Sequence, residues 1–375
     1  MNVYFDNAAS SPLLPEVLEA MMPYFQQHYG NPSAIHSWGR LARTAIERSR
    51  KSIANYLHAS TAEIYFTSCG TESNNMVLQT AVWHHNVKRI VTSLAEHPCI
   101  IKTAEFLLQT GTEVVFLKPD ITGRVDINEL DHVLGSKKMK TLVTLMHVNN
   151  ELGSIMSLHA ISAVCKKHDA LFHSDTTQSI GWYPINVQEL AVDFLSASAH
   201  KFHGPKGVGF LYCRTNTLSG PLLFGGAQER NLRAGTENVA GIVGMARALE
   251  LSVQHMQTRK MHILSLREYM KLEVQKRFPQ AVIQGPEDAD NVSYRILNIR
   301  FPLNQRSSLL IYNLDIAGIA ASGGSACSSG TLQISHVLRA IGMADDQVAV
   351  RFSFSFLNTL EEVDYTIEAL AKLIC

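Results

Sequence analysis

Through the first two thirds of the chain, short apolar runs alternate with longer stretches of helical spacing. The runs at 64–67, 89–92, 113–117, 141–147, 170–174, 194–197 and 208–212 read as strands. The stretches at 16–27, 34–57, 72–84, 98–110, 127–135 and 158–167 read as helices. Strand and helix taking turns in this way predict an α/β fold, a mostly parallel sheet covered by helices. The last third changes character. Residues 237–276 read as one long helix with a bend, 292–301, 316–321 and 347–354 as strands, and 334–341 and 361–373 as helices. That α+β pattern predicts a large domain over 15–255 and a smaller one from 256–375, joined by the arm 1–14. Repeats and low-complexity tracts are absent.

Composition narrows the class. Lys plus Arg and Asp plus Glu both total 33, so nothing suggests a nucleic-acid footprint. An apolar share of 46% suits a soluble globular enzyme. No apolar run approaches the roughly 20 residues that cross a membrane. The start, Met1-Asn-Val-Tyr-Phe-Asp, has no basic and apolar leader pattern. None of the six cysteines forms a C-x-x-C pair. A chain of 375 residues needs no disulfide staples, so a reducing, cytoplasmic setting is expected. Sixteen histidines raise the question of zinc, yet no paired ligand spacing appears, and no resident metal is expected.

The chemistry gathers at four places. Lys201 lies between two apolar runs, where loss of water lowers an amine's pKa and frees it as a nucleophile. Asp175 ends the preceding apolar run, at the edge where parallel sheets place their chemistry. A lysine with an acidic partner one strand away suits pyridoxal phosphate, whose aldehyde needs an amine and whose ring nitrogen needs a carboxylate. Gln178, three residues further on, is placed to reach the ring hydroxyl. Residues 64–75 read as strand, tight turn and helix start, with Gly70 and Thr71 where free N–H groups would meet a phosphate. Cys327 lies in Ser322-Gly-Gly-Ser-Ala-Cys-Ser-Ser-Gly330, a run of small residues expected to be mobile, from which a thiol could swing into a site and out again.

These residues, taken with Tyr4-Phe-Asp-Asn7-Ala-Ala, Gly30-Asn-Pro-Ser33, Glu96-His97, His147-Val-Asn-Asn150-Glu-Leu-Gly153, Arg233-Ala-Gly-Thr236-Glu-Asn238 and Val350-Arg351-Phe-Ser353, resemble the cysteine desulfurases of the NifS/IscS type. The likeness runs over nearly the whole chain. It implies a fold-type I, aspartate aminotransferase-like architecture: a mostly parallel seven-stranded sheet in the large domain, and a smaller α+β domain carrying the cysteine loop. By that resemblance Lys201 bonds the cofactor aldehyde, Asp175 pairs with the ring nitrogen, and Gln178 and Asn150 face the ring hydroxyl side. His97 stacks on the ring and shuttles protons, while Gly70, Thr71, Ser198 and His200 hold the phosphate. Thr236 reaches the phosphate of a neighbouring subunit, which implies a homodimer. Arg351 grips the substrate carboxylate, with Asn7 and Asn150 near it, and Cys327 takes the sulfur. Departures are small: Ala227 stands where a third glycine is usual, and no glycine follows Arg351-Phe-Ser353.

The implied reaction removes sulfur from L-cysteine, giving L-alanine and a persulfide on Cys327 that passes to an iron–sulfur scaffold or another sulfur carrier. Whether Cys327 also serves as a transient ligand to a cluster iron is left open. A selenocysteine lyase or an aminotransferase would share Lys201 and Asp175, and a sulfur-relay scaffold is the non-enzymatic alternative.

Overall fold

The computed structural model describes residues 1–374 apart from 216, 218, 219, 304, 306, 324, 329, 330 and 345; for 325–328 and 331–333 it describes the backbone only. Its large sheet has the spatial order Ile64–Thr67, Gly209–Cys213, Phe194–Ser198, Leu171–Asp175, Thr141–Thr144, Arg89–Ser93 and Glu113–Leu117. Phe172, Phe194, Phe210 and Leu211 are fully buried, as strands covered on both faces require. All strands are parallel except Gly209–Cys213, which runs against both of its neighbours. The reversal follows from the connection. The single helical turn and loop between Ser198 and Gly209 are too short for the crossover helix that a parallel return needs.

The strand ending in Asp175 extends one residue further than the apolar run suggests, so the carboxylate is its last residue. The expected long helix is two helices, Val239–Gln254 and Met256–Arg277, broken at His255. Beyond it a four-stranded antiparallel sheet takes the order Ser322–Gly323, Gln347–Ser353, Ile296–Pro302 and Val282–Gln284. The N-terminal arm lies with this region: Val3–Tyr4 pairs with Ile319–Ala320, and Ser353 N donates to Phe5 O at 2.6 Å. The short helix Leu310–Ile316 and the strand Val282–Gln284 carry too few residues to show a period in the sequence.

Instead of an open loop, the segment around Cys327 forms a hairpin. Ser325–Ser328 pairs with Thr331–Ile334, and Cys327 stands opposite Leu332. Two adjacent runs of small and β-branched residues can pair with each other even without a packed face. The Cys327 side chain lies outside the described residues.

A buried ion pair ties the loop before Thr236 to the large sheet. Arg50 donates from both terminal nitrogens to Glu229 at 2.8 Å, and Phe66 N donates to the same carboxylate at 2.8 Å. Both side chains are almost fully buried. Glu229 and Arg230 take left-handed backbone (φ 43° and 57°), a conformation that unbranched residues adopt only where contacts hold it. Glu229→Ala is expected to cost about 3–5 kcal/mol, because it strands a buried guanidinium. Denaturant unfolding measures this. The double variant Arg50→Met with Glu229→Leu is expected to recover most of the loss.

Candidate active site

The carboxyl ends of the parallel strands open into a cavity of about 470 Å³. Lys201 enters it from a single 3₁₀ turn, Ala199–Lys201, that follows the strand Phe194–Ser198. Its Nζ donates to the carbonyls of Ala8 and Ala9 at 2.7 and 2.8 Å. Burial, with the nearby positive charges of Arg351 and Arg295, pushes the amine down from 10.5 to about 8, while Asp175 and Asp6 oppose the shift. The apolar flanks of Lys201 in the sequence are the local cause of that burial.

Asp175 is nearly buried at the end of the adjacent strand. Its Oδ1 accepts from Thr177 N at 2.9 Å and its Oδ2 from Asn74 Nδ2 at 2.7 Å. Gln178 donates to Ala8 O at 2.8 Å, and its buried Oε1 has no hydrogen-bond partner among the described residues. Asn74 Oδ1 is in the same position. Gly70 opens the helix Gly70–His85 at the cavity wall, and its N–H meets Ser198 Oγ at 3.2 Å. A Cβ at residue 70 would stand 2.7 Å from Thr177 Oγ1, so the backbone approaches this closely only because residue 70 is glycine. Thr71 and His200 also line the cavity. Burial and the charges of Lys201 and Lys206 push His200 down to about 4, so it is neutral at ordinary pH.

His97 caps the helix Pro98–Gln109, its Nδ1 accepting from Cys99 N at 3.2 Å, and it also lines the cavity. The capping and cavity-facing roles coexist, because only one ring nitrogen serves the cap. Burial lowers its pKa.

Arg351 lies on the strand Gln347–Ser353 and reaches the opposite wall. One terminal nitrogen donates to Asn150 O at 2.7 Å, and the other donates to Asp6 Oδ1 at 2.8 Å and Ser322 Oγ at 2.9 Å. Asn150 lines the cavity beside it.

Two of the expected residues do not line this cavity. Asn7 is buried, with its amide on Tyr4 O and Ser353 O, and it is the next two residues, Ala8 and Ala9, that line the cavity. Thr236 stands apart, exposed, in a loop that Arg233 ties to Glu72 at 2.8 Å.

The structure adds residues that the sequence reading did not single out. Asn74 follows Thr71 by three positions on the same helix, so one face brings both to the cavity. Cys99 lines the cavity two residues after His97. Glu96 is buried, its Oε1 accepting from Met146 N at 2.6 Å, and burial holds its carboxyl well above the usual range. Asp6 reaches Arg351 from 345 residues away, and no local signal marks it.

Both ends of the Cys327 hairpin are fastened to the cavity rim. Before it, Ser322 lies opposite Arg351 in the sheet and donates to Asp6 Oδ1 at 2.7 Å. After it, Ser335 Oγ donates to Glu151 at 2.6 Å, and His336 Nε2 lies 2.7 Å from Glu96 O.

The sheet and the small antiparallel unit make up the fold-type I architecture of pyridoxal phosphate-dependent enzymes, and the chain belongs to the class-V aminotransferase family, whose sequence model matches residues 3–366. A cysteine desulfurase IscS of Dictyoglomus turgidum is 43% identical over 99% of this chain and 94% of its own. A solved NifS-like protein superposes with a TM-score of 0.92 at 36% identity, covering 100% of this chain and 99% of that one. A structure described as SspA in complex with cysteine superposes with a TM-score of 0.80 at 32% identity, covering 95% and 100%. Within the family, then, the chain falls among the cysteine desulfurases.

The depressed Lys201 pKa has a measurable consequence for stability. Above about pH 8 the folded chain holds this amine neutral, while the unfolded chain keeps it charged up to about 10.5. In that window the unfolded state binds the extra proton, so stability rises with pH. Below pH 8 the folded protein carries the whole cost of the buried charge, about 3 kcal/mol. Cofactor-free Lys201→Met is therefore expected to be more stable than the cofactor-free parent below pH 8. The advantage fades toward pH 10.5, as thermal or urea unfolding across that range would show.

Proposed function

We propose that the protein is a cysteine desulfurase that uses pyridoxal 5′-phosphate to move the sulfur of L-cysteine onto Cys327, releasing L-alanine. The observation that carries this reading is the fastening of the Cys327 hairpin beside the cavity that holds Lys201, at Ser322 to the cavity-lining Arg351 and at His336 to Glu96, the residue before His97.

The cavity suits the cofactor. Phosphate would lie at the N-terminus of the helix Gly70–His85, with Thr71, Ser198 and His200 around it. Asp175 would take the ring nitrogen, and the unpartnered Oε1 of Gln178 would face the ring hydroxyl side with Asn150. His97 would cover the ring face. When bound, pyridoxal phosphate supplies an aldehyde for amines and a ring that accepts electrons.

The chain's own groups then divide the work. Arg351 binds the substrate carboxylate, for which its planar fork is suited. Asp6 holds that fork in place and partly neutralises it between substrates. Lys201, titrating near 8, is a base of suitable strength for the Cα proton. The Cys327 thiolate forms an S–S bond to the substrate's sulfur as the Cβ–S bond breaks, and the carbon skeleton takes up protons to become alanine. One cysteine and one enzyme thiol thus give one alanine and one persulfide. The persulfide passes to an iron–sulfur scaffold or other carrier.

We further infer a homodimer in which Thr236, exposed and outside its own cavity, reaches the partner's phosphate site. Residues 15–255 form one domain, and 1–14 with 256–375 the other. A reducing, cytoplasmic compartment suits the free thiols of Cys69, Cys99 and Cys165.

Incubation of purified enzyme with L-cysteine tests the reading directly. Mass spectrometry is expected to find one added sulfur on the peptide containing Cys327, with alanine released. Cys327→Ala is expected to keep the cofactor's visible absorption yet release no alanine above background. Alanine release at the parent rate would rule out Cys327 as the acceptor. Arg351→Lys is expected to raise KM for cysteine about tenfold or more through loss of a two-point contact to a charged group, with a smaller fall in kcat.

A further inference from the structure

Four side chains along the cavity wall form a directed chain of hydrogen bonds. Asn74 uses the two hydrogens of its Nδ2: one goes to Asp175 Oδ2 at 2.7 Å, the other to the sulfur of Cys99 at 3.2 Å. The Cys99 sulfur lies 3.0 Å from Nδ1 of His97, and Cys99 N–H donates to that same nitrogen at 3.2 Å. With Asn74 and Thr71 donating to the sulfur, the thiol's one hydrogen is left for His97. An imidazole nitrogen that accepts a hydrogen bond carries no proton, so in the neutral ring the proton belongs to Nε2.

We propose that Cys99 is a positioning residue: its S–H, aimed by Asn74, donates to Nδ1 of His97 beside the main-chain N–H that caps the helix, and the two donors together hold the ring as the Nε2–H tautomer. His97 then offers a proton from Nε2 to whatever lies before it in the cavity, and acts as an acid before it acts as a base. The bridge also sets His97 and Asp175 in fixed relation to one another through Asn74.

The surroundings keep the donor a donor. Burial pushes the Cys99 thiol up to about 12, with Asp175 and Glu96 acting the same way against Asn74 and Thr71, so the sulfur stays protonated at neutral pH. A protonated thiol is a poor nucleophile and does not compete with Cys327 for sulfur. Around His97, Asp175 favours the charged ring, whereas Lys201 and His336 disfavour it and burial disfavours it most. The neutral ring is therefore the form whose tautomer matters.

The inference rests on His97 facing the reacting groups, as the proposed function has it, but its test does not need turnover. In protein carrying isotope-labelled histidine, side-chain nitrogen shifts distinguish the two tautomers, and the resonance missing from His97→Gln assigns the ring. The enzyme as purified, and Cys99→Ser, are expected to show a bare Nδ1 and a protonated Nε2. Cys99→Ala, which keeps the main-chain N–H on Nδ1 but loses the thiol, is expected to move both nitrogen shifts part of the way toward the averaged values. Its kcat for alanine release is expected to fall about tenfold, part of the hundredfold or more that a placed acid contributes, with KM little changed. The pH at which its rate falls off should move as well, and Cys99→Ser should restore both. A Cys99→Ala protein with the parent's unfolding midpoint, tautomer pattern and pH profile would overturn the assignment. A Cys99→Ser protein that folds yet keeps the Ala pattern would overturn it too. Correct tautomers in a protein that makes no alanine would refute the desulfurase reading and leave the bridge standing.

Discussion

The site depends on keeping the amine of Lys201 out of water. An ammonium group loses its hydration there, and two carbonyls from the N-terminal arm replace only part of it. The result is an amine that titrates near pH 8, so far more of it is free base at neutral pH than in an exposed lysine. The neighbourhood tolerates this because its charges are balanced in detail. Asp175 and Asp6 pull the amine toward its charged form, while Arg351 and Arg295 push it away.

That requirement explains why the two ends of the chain meet at the cavity. The arm supplies Ala8 and Ala9 over Lys201, Ser11 beneath His200 and His203, and Asp6 against Arg351. Small side chains at positions 8–11 let the backbone come close enough to accept hydrogen bonds. Arg351 arrives from the small antiparallel sheet, and through Ser322 it also fixes the base of the Cys327 hairpin. Arg351, Lys201 and the base of the Cys327 hairpin thus share one frame, although they come from distant parts of the sequence.

Several groups that look chemically idle do electrostatic work. Glu96, its carboxyl pushed well above the usual range by burial, braces the Met146 segment, with its main-chain oxygen next to His336. Cys99 is held protonated. His200 is held neutral by burial and by the charges of Lys201 and Lys206, so what it offers the cavity is hydrogen bonding and not charge. Arg295, buried and stacked 3.6 Å over the ring of Trp182, adds a fixed positive charge near Lys201.

Much of this was legible in the sequence. Each strand of the large sheet announces itself as a compact apolar run, and Asp175 and Lys201 follow such runs directly, so their place at the sheet edge is a local property. Gly70 and Thr71 were legible for the same reason: strand, turn and helix start are adjacent. The helix Leu310–Ile316 and the Cys327 hairpin were not, because neither is long or periodic enough to stand out from a loop. Asn7 itself is packed behind the cavity wall, which Ala8 and Ala9 form, a detail of side-chain direction that the sequence does not carry. Tertiary structure alone decided the antiparallel strand Gly209–Cys213, the Asp6–Arg351 pair and the bridge from Asp175 through Asn74 and Cys99 to His97. These depend on strand order and on contacts between segments far apart in the chain. Periodicity reports which face of an element is buried; it does not report which other element will cover that face.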